Sequence, residues 1–190
     1  MLLMEEKIRR EGQILPGGIL KVGSFLNQQI DTTFLRSIGQ EIARLYGESG
    51  VTKVLTIEAS GIAIAILVGL EFGCPVVFAK KSKTKNLADD LYKAEVPSFT
   101  HGNTNTVVVS KDYLKPGERV LLIDDFLATG AALFGLRALV EQAGGTVAGA
   151  GIAIEKAFQG GGDKLRAEGL RVESLARIAS MGDDGTIEFC

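Results

Sequence analysis

Cysteine, cationic excess and long apolar runs are all scarce in this sequence, and each shortage excludes a class of protein. The two cysteines, Cys74 and Cys190, build neither a disulfide framework nor a zinc site, which fits a reducing, cytoplasmic setting. Twenty-one basic residues stand against 23 acidic ones, and a formal charge of -2 lacks the electrostatic footprint of a general nucleic-acid binder. Any bound anion must be gripped locally. The longest apolar stretch, residues 61–70, is about half of the roughly 20 residues a membrane span requires. Glu5 and Glu6 stand where a signal peptide needs a basic stretch followed by an apolar one. A soluble protein, neither secreted nor in the membrane, is expected. No internal repeat or low-complexity linker interrupts the 190 residues, a length suited to one domain spanning 1–190. Glycine alone is in excess, its 24 residues being roughly twice the number expected at a usual ~7%.

The pattern of apolar residues predicts an α/β protein. After a short amphipathic segment (3–10), the irregular glycine-rich passage 13–30 reads as a flap. Asp31 looks like a helix cap, and Phe34, Leu35, Ile38, Ile42 and Leu45 recur at helical spacing up to Gly47. From there strand and helix alternate: strand 53–57, apolar helix 61–72, strand 75–79, then strand 119–123, helix 129–143 and strand 146–154. That order means a central, mostly parallel sheet with helices on its faces. Between the two runs, residues 98–109 suit an antiparallel hairpin turning at His101–Asn103, and 171–180 with 186–189 suit short edge strands.

The richest stretch runs from Val120 to Leu133. Four apolar residues deliver Asp124 and Asp125 to the carboxyl end of a strand, and a small-residue turn then opens a helix, where ligands of open α/β sheets sit. The backbone N–H groups of Ala128, Thr129, Gly130, Ala131 and Ala132, with the Thr129 hydroxyl, can wrap a phosphate without any lysine. Carboxylates repel phosphate but accept hydrogen bonds from neutral hydroxyls, so a phosphorylated ribose satisfies both halves of the motif. Two acids alone would read equally as solvated turn residues.

As a whole the stretch resembles the signature of the type I phosphoribosyltransferases: an apolar strand, two acids and a Thr-Gly loop. The resemblance implies that Asp124 and Asp125 are the catalytic acids, binding the ribose hydroxyls of phosphoribosyl diphosphate, and that 128–132 bind its 5-phosphate. Ala131-Ala132 replace the commoner Gly-Thr, which removes one hydroxyl contact. Glu58-Ala59-Ser60-Gly61, another strand-to-helix turn, resembles the family's pyrophosphate loop, with Ser60 and Gly61 as its contacts. Lys80-Lys81-Ser82-Lys83-Thr84-Lys85 carries four lysines in six residues. On its own it is a solvated loop. Its position matches a mobile lid over the pyrophosphate that excludes water from a cationic sugar intermediate, with Lys80 and Lys81 in the place of the family's basic pair.

The ends of the chain choose the base. Lys156 closes a strand and can donate to a purine oxygen, and Phe158 can stack on a ring. Together with 19–31 and 171–178, this region resembles the xanthine-using members of the family over nearly the whole chain. That likeness implies a base held by Leu20 and Asn27 in the flap and by Lys156, with residues 1–30 forming a hood packed on the C-terminal strands. An ammonium facing the 6-oxygen of xanthine rejects adenine, whose amino group is a donor. The resemblance also implies magnesium held mainly by the diphosphate, and a homodimer. Two alternatives stay open: an adenine- or other oxopurine-using relative, and a regulator that senses phosphoribosyl diphosphate while binding nucleic acid.

Overall fold

The computed structural model describes residues 2–82, 90–97 and 104–190. Helix α1 (Leu2–Glu11) leads into a small hairpin of β1 (Gln13–Leu15) and β2 (Ile19–Lys21), followed by a π-helical turn at Gly23–Asn27. Asp31 caps α2 (Thr32–Tyr46) by accepting from Phe34 N at 3.0 Å. The α2 residues Phe34, Leu35, Ile38, Ile42 and Tyr46 are buried along one stripe. Helix α3 (Gly61–Phe72) has the predicted bounds and ends at Gly73, whose φ of 64° is left-handed.

Eight strands form the main sheet. In chain order they are β3 (Lys53–Ile57), β4 (Val76–Ser82), β5 (Leu91–Pro97), β6 (Thr104–Ser110), β7 (Arg119–Leu127), β8 (Thr146–Lys156), β9 (Val172–Met181) and β10 (Ile187–Phe189). Their spatial order is β10-β9-β8-β7-β3-β4-β6-β5, parallel from β9 across to β4 and antiparallel at both margins. Strand alternation divides the core in two. Leu121 and Ile123 pack with α1, α2 and α3 on one face. Val120 and Leu122 pack with α4 (Ala131–Gln142) and α5 (Gly161–Ala167) on the other. Each fully buried Leu or Ile contributes about 1.5–3 kcal/mol. The connections after β3 and β7 leave towards opposite faces, so the carboxyl ends of these two neighbours open a crevice, the switch point of a doubly wound sheet.

Several boundaries differ from the sequence reading, each because strand pairing overrides local pattern. The acids lie inside β7, which stays paired with β8 as far as Leu127 opposite Glu155, so α4 starts at Ala131 and not at 129. β9 is a ten-residue strand between β8 and β10, not a short edge. The hairpin's first strand is β5, paired from Leu91↔Ser110 to Pro97↔Thr104. The turn at His101–Asn103 and the lysines at 83 and 85 lie outside the described residues. Lys80 and Lys81 belong to β4, opposite Val108 and Val107 of β6, and not to a loop.

The N-terminal segment sits against the C-terminal strands. Lys156 Nζ donates to Gly18 O at 2.9 Å, Gly17 N to Asp183 Oδ1 at 3.3 Å, and the Arg9 guanidinium lies 4.8 Å over the Phe189 ring.

Candidate functional site

The crevice between β3 and β7 is an open cleft of about 270 Å³. Its walls include Ser60, Lys81, Asp124, Asp125 and all five residues of the loop 128–132. Residues scattered over 70 positions of sequence are thus delivered by three strand ends to one place.

The loop is built to present backbone donors. Gly130, at φ 90°, caps α4 in a left-handed conformation that a side chain would strain, and its carbonyl accepts from Phe134 N at 3.0 Å. The N–H groups ahead of that bond have no intrahelical acceptor. All five loop residues line the cleft, and none carries a side chain larger than that of Thr129, so a phosphate can approach the helix start closely.

The acids are unequal. Asp124 is 6% exposed, while Asp125 is half-buried on the cleft wall. Asp124 Oδ1 accepts from Asp125 N at 3.0 Å. Burial, and after it the adjacent Asp125 charge, push the Asp124 carboxyl well above the ordinary aspartate range. The pair therefore resists holding two negative charges until a ligand brings hydroxyl donors or positive charge.

On the β3 side, Glu58 anchors the turn: its N–H donates to Ala79 O at 3.0 Å, and its carboxylate accepts from Lys81 N at 2.7 Å. The Glu58–Ala59 peptide is cis. The Ser60 side chain makes no cap bond to α3 and lines the cleft. Gly61 is buried behind that wall. A Cβ there would overlap the Thr56 hydroxyl and reach 3.4 Å from Asp124 Oδ1, so this glycine lets α3 start close beneath the acids.

Alternation along β4 separates the two lysines. Lys81 lines the cleft, whereas Lys80 lies over the Phe78 ring at 5.9 Å, beside a hollow on the other side of the strand. Of the expected basic pair, this chain brings only Lys81 into its cleft.

The residues expected to hold the base lie apart from these walls. Lys156, held by Gly18 O, stands 5.7 Å from the Phe126 ring, and burial lowers its affinity for a proton. Phe158 is 47% exposed, near Gly18. Leu20 is buried in the core with Met4 and Ile8, so its backbone is the part it can offer a ligand. Asn27 is exposed at the end of the π-helical turn. Phe126 both lines the cleft and faces Lys156. Sequence reading missed it, although its place between the acids and the loop was a usable signal. Glu58 was marked only as part of the 58–61 turn, with no role for its side chain, and Asn105, also on the cleft wall, was missed, since nothing in its local sequence marks it.

No family model matches the chain. Among curated proteins, the xanthine phosphoribosyltransferase of Bacillus thuringiensis (strain Al Hakam) is 52% identical over 189 residues, covering 100% of this chain and 95% of that protein. The xanthine phosphoribosyltransferase of Bacillus cytotoxicus matches with the same identity and coverage. Among solved structures, the adenine phosphoribosyltransferase of Giardia lamblia superposes with a TM-score of 0.78 at 24% identity, covering 92% of this chain and 97% of that one, a likeness of fold. With that fold, and with half its residues shared along its whole length, the chain belongs to the xanthine phosphoribosyltransferase family of type I phosphoribosyltransferases.

Proposed function

We propose that this chain transfers the 5-phosphoribosyl group from phosphoribosyl diphosphate to xanthine, forming xanthosine 5'-monophosphate and pyrophosphate. The observation that carries the reading is the single cleft in which a backbone phosphate loop, two acids and a second anion-binding turn converge. Residues 128–132 hold the 5-phosphate. Asp124 and Asp125 accept from the ribose hydroxyls, fix the sugar and favour positive charge at the anomeric carbon. Ser60, the amides around it and Lys81 receive the charge of the departing pyrophosphate. No covalent nucleophile is needed.

Magnesium would be held with the donor's diphosphate. Among the described residues no three carboxylate, imidazole or thiol groups converge, an arrangement that fits an ion held chiefly by substrate oxygens. Bound there, the ion would supply positive charge to the diphosphate.

At the base end Lys156 exchanges the Gly18 carbonyl for the 6-oxygen of xanthine, with Phe126 and Phe158 against the ring and Leu20 and Asn27 contacting the base from the flap. The flap must therefore withdraw its carbonyl before the base is read. Adenine would set an amino donor against the ammonium and leave both unpaired. A homodimer in the cytoplasm, formed from single domains spanning 1–190, completes the proposal. Pyrophosphate release with xanthine, guanine, hypoxanthine and adenine tests it. Xanthine is expected to be the preferred acceptor, and turnover of adenine without xanthine would overturn the choice of base.

A further inference from the structure

Three consecutive glycines, Gly160 to Gly162, follow the base-end strand. Only Gly160 needs its conformation, with φ at 73°. Gly161 and Gly162 open α5, where each glycine costs about 1 kcal/mol relative to alanine. Space explains them. A Cβ on Gly161 would collide with the backbone of Ala128, Thr129 and Gly130, the loop that faces the cleft, and Gly161 N donates to Ala128 O at 3.1 Å. A Cβ on Gly162 would collide with the Glu155 carboxylate and lie 2.7 Å from Arg166 Nη1. Helix α5 is thus wedged between the phosphate loop and a buried carboxylate.

That carboxylate is fully buried and fully engaged. Arg166, on α5, grips it with both fork nitrogens at 2.9 and 2.7 Å, and Ser174 Oγ on β9 donates at 2.5 Å. Arg177 Nε stands 3.4 Å away. Burial alone would raise the Glu155 carboxyl, but the bonds from Arg166 and Ser174 outweigh it and keep the group charged. A second bond set ties Arg166 to Val172 O at 3.3 and 3.2 Å. Three elements, β8, α5 and β9, meet at one carboxylate directly behind the loop.

We infer that Glu155 is a positioning residue for the phosphate loop: through the Arg166 fork it clamps α5, and Gly161 transmits that position to the amides of 128–130. The inference rests on the proposed donor site. Glu155 never touches substrate; it sets where the loop amides point, and so how tightly the phosphate end is held while the base end is untouched.

Calorimetric titration with ribose 5-phosphate, which probes the loop without chemistry, and the split of KM between donor and xanthine test it. Gly161→Ala is expected to weaken ribose 5-phosphate and raise the donor KM about tenfold, with the KM for xanthine unchanged. Glu155→Gln should move the same way to a smaller degree. Should either variant fail to fold, Arg166→Lys decides, since it keeps the charge but cannot form the bidentate fork. Variants that lose thermal stability while binding ribose 5-phosphate as the wild type does would overturn the inference. A wild type that binds ribose 5-phosphate but never transfers to xanthine would overturn the choice of reaction alone.

Discussion

The proposed donor cleft and the proposed base end beside it are built on opposite plans. At the donor end, loops at the tips of β3 and β7 hold their amides, hydroxyls and acids ready in a cleft with small walls, braced from behind by α5. At the base end the key cation already has a partner, Lys156 being bonded to the Gly18 carbonyl of the flap. A preformed site suits a highly charged donor, because donors fixed by the fold cost nothing to reorganise when charge arrives. A site closed by its own flap suits a nearly planar base, since opening it against a satisfied bond is worthwhile only for a ligand that replaces the bond.

Variants that abolish one end and spare the other sharpen this contrast. The largest effect is expected from Asp125→Ala, which should lower turnover at least about a hundredfold with an unchanged circular dichroism spectrum; near-normal turnover would remove the acid from the ribose site. Lys156→Gln comes next. Losing a charged hydrogen bond should raise the KM for xanthine about tenfold to a hundredfold with the donor KM constant, and equal changes in both constants would mean that the two ends are not separable.

The smallest effect concerns stability. The raised Asp124 carboxyl stabilises the fold fully below the ordinary aspartate range, and that contribution is lost as pH rises through the raised value. Asp124→Asn, which never ionises, should therefore melt about 3 °C or more above the wild type at pH 8, with the gap closing towards pH 4. Parallel melting curves across that range would contradict the burial argument.

Much of this was legible in the sequence because local and tertiary demands agree. The apolar run 61–70, lying between a turn and Gly73, admits one helix, and the paired acids before a small-residue loop imply a ligand at a strand end. Where non-local pairing decides, sequence was silent. Nothing near Asp125 says that β7 continues to Leu127, because its partner β8 supplies the reason. Lys80 and Lys81 look equivalent until the strand puts them on opposite sides. Gly161 and Gly162 make sense only with the phosphate loop and Glu155 against them.

The central claim is that this donor cleft serves a xanthine-reading base end, and pyrophosphate release with xanthine and adenine side by side measures it most directly. Release that depends on xanthine and is absent with adenine is the result expected. Release with adenine and none with xanthine would contradict the account.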